Sequence, residues 1–223
     1  MEISKIEKPD INEVIIQGPI VAMNKNDIAT NMKIKVVRSN FPDLVSDFKK
    51  ADTPLYNWPD ISFYDTLLRE EAAAYKVGDE VKITAMIDVH QKISKITNSN
   101  FFDQRIVGLK IERATSMLKK EFDLNVERGC EQFGIFMLRG EVTKVSVLKN
   151  TVALNVRTFI GRSVNNIQTF VYTKDPDKFS KEYKQGDIVT VAGNIQTVRK
   201  SISEDYKVNR KNFIVSYIKK GEE

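Results

Sequence analysis

Rings and cations share two neighbouring stretches of this sequence. Arg157 and Phe159 lie two residues apart, and Phe170 and Tyr172 repeat that spacing. Residues two apart on a strand point to the same side of it, so each pair forms one surface if these stretches are strands. An aromatic face stacks on an unpaired base of any identity, and a guanidinium or ammonium group neutralises a phosphate. A wall carrying both is what an unpaired polynucleotide asks of a protein. More cations lie close by in sequence: Lys144 and Lys149 flank a first hairpin, Arg162 follows the Arg157 stretch, and Arg199, Lys200, Lys207, Arg210 and Lys211 crowd a last hairpin around Tyr206. The first half offers a thinner set, with Lys33, Lys35 and Arg38, then Lys92 and Lys95, and with Tyr64, Phe41 and Trp58 as candidate platforms. The competing reading of the rings is packing against a neighbouring module or subunit. For the lysines it is a solvated loop.

Other chemistries have little to work with. His90 and Cys130 are the only histidine and cysteine, which leaves no soft ligand set for zinc, no Cys-His pair and no internal disulfide. No glycine-rich phosphate loop or other catalytic motif appears. No catalytic residue, metal site or cofactor is therefore expected, and the chain reads as a binding protein rather than an enzyme. With 41% hydrophobic and 29% charged residues, its 223 residues suffice for one or two soluble globular units. There is no signal-like start and no apolar run long enough to span a membrane, so a cytoplasmic protein with no membrane partner is expected. The net charge of +5 is uneven. Residues 1–112 carry 15 Lys+Arg against 17 Asp+Glu, whereas residues 113–223 carry 20 against 13. The positive field needed to hold a polyanion thus belongs to the second half.

The elements that position these groups come from an internal repeat. Tyr75-Lys76-Val77-Gly78-Asp79 through Ile87 overlays Tyr183-Lys184-Gln185-Gly186-Asp187 through Ile195 without a gap, and Ile15–Val21, with Gly18 inside, overlays Met137–Thr143, with Gly140 inside. In the second copy Val152, Leu154 and Val156 alternate with polar residues, as do Ile167, Thr169 and Val171 with Gln168, Phe170 and Tyr172; both patterns are those of half-buried strands. A helix over about 177–183 and strands over 188–195 and 212–218 complete the unit. The first copy reads as strands near 12–23, 30–38, 60–65, 80–91 and 103–112, with a helix near 66–75 and a long insert, Ser39–Trp58, between its second and third strands. Three strands, a helix and two strands describe a five-stranded OB barrel. The fold class expected is all-β with short helices, as two tandem five-stranded OB-fold barrels: residues 1–112, a linker at 113–133 with a short helix near Thr115–Phe122, and residues 134–223. The polar stretches 92–100 and 200–211 are expected to be hairpin loops. Tyr64 lies 14 residues before Gly78 and Tyr172 lies 14 before Gly186, so both barrels place a tyrosine at one position of the third strand.

The run Phe179–Arg199 resembles the helix, turn and fourth strand of the bacterial and phage single-stranded DNA-binding protein family, and Met137–Lys144 resembles its opening strand. The resemblance implies that Tyr172 is the family's third-strand stacking aromatic and that Arg199 and Lys200 are the basic residues after the fourth strand; the aromatic that often follows them is replaced by Ser201. It further implies single-stranded DNA as partner, protection of that DNA in replication, recombination or transfer, a homodimer of tandem barrels, and a phage or plasmid origin. The chain ends at Lys219-Lys220-Gly221-Glu222-Glu223, so recruitment of other proteins through an acidic tail is not expected. Two readings stay open beside this one: RNA as the ligand, and a scaffold whose barrels hold other proteins.

Overall fold

The computed structural model describes residues 9–37, 56–93, 100–114, 132–201 and 207–221, with side chains at all of these except 100–101, 199–201 and 207–209. The first copy comprises β1 (Ile11–Lys25), β2 (Thr30–Ile34), β3 (Val36–Val37), β4 (Tyr56–Asn57), β5 (Asp60–Phe63), α1 (Thr66–Ala73), β6 (Glu80–Ile93) and β7 (Asn100–Arg113). The second comprises β8 (Phe133–Leu148), β9 (Thr151–Ile160), β10 (Ser163–Tyr172), α2 (Pro176–Glu182), β11 (Ile188–Ser201) and β12 (Lys207–Lys220). Pairing closes each set on itself. In the first, β1, β2, β5, β7 and β6 form a ring, with β5 and β7 parallel. In the second, β8, β9, β10, β12 and β11 form the same ring, with β10 and β12 parallel. These are two tandem five-stranded OB barrels.

Alternation decides which side chains fill them. Val152, Leu154 and Val156 on β9, Ile167 and Val171 on β10, and Phe213 and Val215 on β12 are buried in the second barrel; Ile16, Ile61, Phe63, Ile83 and Ile106 do the same in the first. Each such side chain contributes about 1.5–3 kcal/mol. Each helix closes the barrel end after the third strand and starts on an aspartate. Asp65 accepts the N–H groups of Leu67 and Leu68, and Asp175 accepts that of Lys178 ahead of Pro176.

The repeat persists down to single hydrogen bonds. Gly78 donates its N–H to Ile20 and Gly186 donates to Val142, both at 2.8 Å. Their φ angles of 97° and 93° are ones only glycine adopts readily. The aspartate that follows each turn glycine accepts a backbone N–H three residues back, from Lys76 at 2.9 Å and from Lys184 at 2.7 Å. Within the bent first strands, a Cβ on Gly18 would stand 2.2 Å from the Lys35 carbonyl oxygen, and one on Gly140 would stand 2.0 Å from that of Arg157. Glycine is therefore required where the second strand crosses the bend.

One antiparallel seam joins the barrels. β1 pairs with β8 from Ile11–Arg139 to Gln17–Phe133, so the strands form a continuous ten-stranded sheet. Val14 pairs with Phe136, its own counterpart in the repeat, so a local two-fold axis passes through that pair. Contacts away from the seam obey the same symmetry. Asn165 accepts the Val89 N–H at 2.9 Å, and Asn57 accepts the Thr197 N–H at 3.0 Å. Asp10 accepts the Phe159 N–H at 2.8 Å, and the carbonyl of Gln132 accepts the Val37 N–H at 3.1 Å.

The sequence expectations need correcting at four places. The single strand expected over 30–38 is divided into β2 and β3, and β4 closes the end of the insert. Where the stretches 92–100 and 200–211 are described they are strand, since β6 and β7 reach Ile93 and Asn100 and β11 and β12 reach Ser201 and Lys207, while 94–99 and 202–206 lie outside the described residues. On β6 the residues from His90 to Ile93 are all exposed, so that part of the ribbon lacks the one-sided burial whose apolar alternation marks a strand. The helix expected near Thr115–Phe122 and most of the Ser39–Trp58 insert, including Phe41, fall outside the described residues. Among the described residues no helix is long and apolar enough to cross a membrane.

Candidate nucleic-acid interface

The outer side of β8, β9 and β10 is a set of cross-strand rows. Register puts Phe159 opposite Val164, then Glu141 and Asn166 on either side of Arg157, then Lys144 and Gln168 on either side of Asn155, then Ser146 and Phe170 on either side of Ala153, and finally Leu148 and Tyr172 on either side of Thr151. Phe159 is 52% exposed and Tyr172 36%. They occupy opposite ends of the ladder, eight residues apart along β10, or roughly 26 Å. Phe170 is half-buried where β12 brings Ile214 against it. The four groups thus do not form one cluster: Arg157 belongs with Phe159, its Cζ 5.4 Å from the ring centre, and Phe170 belongs with Tyr172.

The cations divide by their partners. Arg157 is ion-paired with Glu141 and half-buried, so its charge is already partly answered. Lys144 is exposed within β8, on the strand leading into the hairpin turn, while Lys149 and Arg162 are exposed at the two turns that bound β9. Arg210 is exposed on β12. Lys211 departs from its expected place in a loop. It is half-buried, and burial holds its ammonium below the ordinary lysine pKa against the opposing pull of Asp60 and Asp103, while Lys92 and Arg105 add to the lowering. All four of those groups belong to the first barrel, so Lys211 is an inter-barrel residue. Arg199, Lys200 and Lys207 lie on the backbone of β11 and β12, with side chains outside the description, and Tyr206 is outside the described residues.

The first barrel's equivalent face is more polar and more neutralised. Lys33 is 3.6 Å from the Asp60 carboxylate, and Lys35 has its ammonium 3.9 Å over the Tyr56 ring. Ser62, which stands where the second barrel has Phe170, donates to Asn31 at 2.6 Å. Tyr64 is exposed, but its hydroxyl accepts from Arg105 at 2.8 Å. Trp58 is 45% exposed, and its backbone N–H donates to the Thr197 hydroxyl at 2.9 Å, placing it beside the second barrel's last hairpin.

Four groups escaped the sequence reading. Asn57 and Asn165 lock the barrels together, and each lies 21 residues before its turn glycine; the register that relates Tyr64 to Tyr172 also relates them. Glu141 was missed because its partner, Arg157, is remote in sequence. Gln104, which bonds the main chain of Gln168, gives no sequence signal. Among the described residues no group of acidic, histidine or cysteine side chains is placed to hold a metal ion.

No protein-family model and no curated protein matches this chain. Among solved structures, it is similar to a deletion mutant of the single-stranded DNA binding protein from Thermus aquaticus, with a TM-score of 0.66 at 10% identity over 96% of each chain. It is likewise similar to the wild-type protein from that organism, with a TM-score of 0.63 at 8% identity, over 97% of this chain and 95% of the other. A likeness of this extent at this identity shows one thing about the chain: it shares the tandem OB fold of those proteins.

Proposed function

We propose that this protein binds single-stranded DNA without sequence preference and protects it during replication, recombination or transfer. The observation that carries this reading is the row arrangement on β9 and β10. Exposed rings stand at both ends, a half-buried ring stands between them, and Arg157 and Lys144 lie along the path. A ladder of that length has room for several nucleotides, in keeping with the roughly 4–16 that one OB barrel accommodates. The Thermus aquaticus proteins of the same fold bear single-stranded DNA binding in their names, which supports the same ligand here. The second barrel carries the stronger site, because the first replaces Phe170 by Ser62 and Phe159 by Val37 and neutralises Lys33 with Asp60.

Fluorescence anisotropy of labelled oligo-dT at two salt concentrations tests the reading. Affinity should fall steeply with salt. Phe159→Ala with Tyr172→Ala should remove about 1–3 kcal/mol per stacked ring. A double variant that binds like wild type would sink the site assignment, and tighter binding of a matched RNA strand would change the ligand. The homodimer implied by the family resemblance would form on the outer side of the seam, where Ile15, Ile135, Met137 and Ala192 line a cleft of about 330 Å³ and Tyr217 is exposed beside it. Sedimentation equilibrium on wild type and Met137→Asp would then show a dimer and a monomer respectively.

A further inference from the structure

β10 is paired with β9 along its whole length but with β12 only from Thr169 to Val171. From Gln168 back to Ser163, β12 follows β11 instead, and among the described residues no strand pairs with the second edge of β10. The first barrel meets this edge through individual hydrogen bonds instead of a strand. The Gln104 amide accepts the Gln168 N–H and donates to its carbonyl at 3.2 Å, imitating a strand at one residue. Next to it, Val89 donates to Asn165 at 2.9 Å. Val89 and Gln104 are a cross-strand pair of β6 and β7, so one hairpin of the first barrel is fixed at two points to the border of the second barrel's ring-bearing face.

Phe102 lies on that hairpin, two residues from Gln104 and on the same side of β7, so its Cα is about 7 Å from that of Gln104. It is 73% exposed. A phenyl ring so placed adds almost nothing to folding, because burial is what makes aromatic area stabilising. The position related by the repeat on β12 is Asn209, which carries no ring.

Resting on the function proposed above, we propose that Phe102 stacks on a base of the single strand held by the second barrel. That face is then a composite of both barrels, and Gln104 is a positioning residue that holds the hairpin in place. Anisotropy with labelled oligo-dT on the full chain at fixed salt tests it. Phe102→Ala should weaken binding about 5- to 150-fold, the range expected for one stacked ring, with no change in melting temperature. Phe102→Leu should show the same loss, and Phe102→Tyr should bind like wild type. Gln104→Ala should also weaken binding, yet add little in a Phe102→Ala background, because both substitutions remove the same contact. Wild-type affinity in Phe102→Ala or in Phe102→Leu would overturn the inference, as would full additivity of the Phe102 and Gln104 losses. Wild-type protein that binds no oligo-dT would remove the proposed function as well, so the two failures are told apart by the parent protein alone.

Discussion

Arg157 is shared between a ring and an acid, and which of them holds it bears on the binding proposed above. Its guanidinium bonds Glu141 while lying against Phe159, so a phosphate arriving at this row must compete with a carboxylate. Glu141→Gln should therefore tighten oligo-dT binding and steepen its salt dependence, whereas Arg157→Ala should weaken binding and flatten the log–log salt slope by about 0.7, the increment for one phosphate contact on a single strand; titrations at several salt concentrations read both. Asp187 offers a second test at this scale. The Lys220 ammonium, 2.8 Å away, and the Lys184 N–H hold its carboxyl below the usual carboxylate range. A depressed folded-state pKa gives stability that is present above the unfolded value of about 3.9 and is lost as pH falls through the folded value. Asp187→Asn should accordingly melt below wild type at pH 7, and the gap should narrow in melts taken at progressively lower pH, as the folded carboxylate is protonated. The sequence made Phe159, Phe170 and Tyr172 legible because parity along a strand is a local property. It could not reveal the surroundings of Lys33 and Lys211, whose counter-charges are supplied by residues remote in sequence, Asp60 and Asp103 among them.

The elements themselves were mostly written in period-two alternation and turn chemistry. Strands that bury one face in a barrel, such as β9 and β10, declare themselves through Val152, Leu154, Val156 and Ile167. The outer part of β6 does not, because His90 to Ile93 meet water on both faces. Gly140 marks where sequence and bend are tied most tightly. Gly140→Ala would drive a methyl group into the Arg157 carbonyl, so the strand carrying Arg157 and Phe159 would have to move. Such crowding costs about 1–3 kcal/mol or more, and denaturant titration should show it together with weaker oligo-dT binding. Gly78→Ala, with open space around its Cβ position, should lose only the smaller energy of a strained turn.

At the scale of the molecule, the two barrels are held as the halves of a symmetric dimer are held, by a seam through Val14 and Phe136 and by reciprocal contacts on either side. Asn57→Ala and Asn165→Ala each leave an N–H of the opposite barrel without its acceptor, at about 1–3 kcal/mol apiece. The two sites lie on opposite sides of the axis, so their effects on thermal stability should be similar and should sum in the double variant.

That two-fold axis has an effect on any ligand with a head and a tail. A polynucleotide laid continuously over both barrels would run along one groove from its 5′ side and along the other from its 3′ side, as a thread does when it follows the stitching of a ball. Twin grooves could not both fit it. The replacement of Phe170 and Phe159 by Ser62 and Val37 in the first barrel makes the two faces unlike, as such a ligand would require.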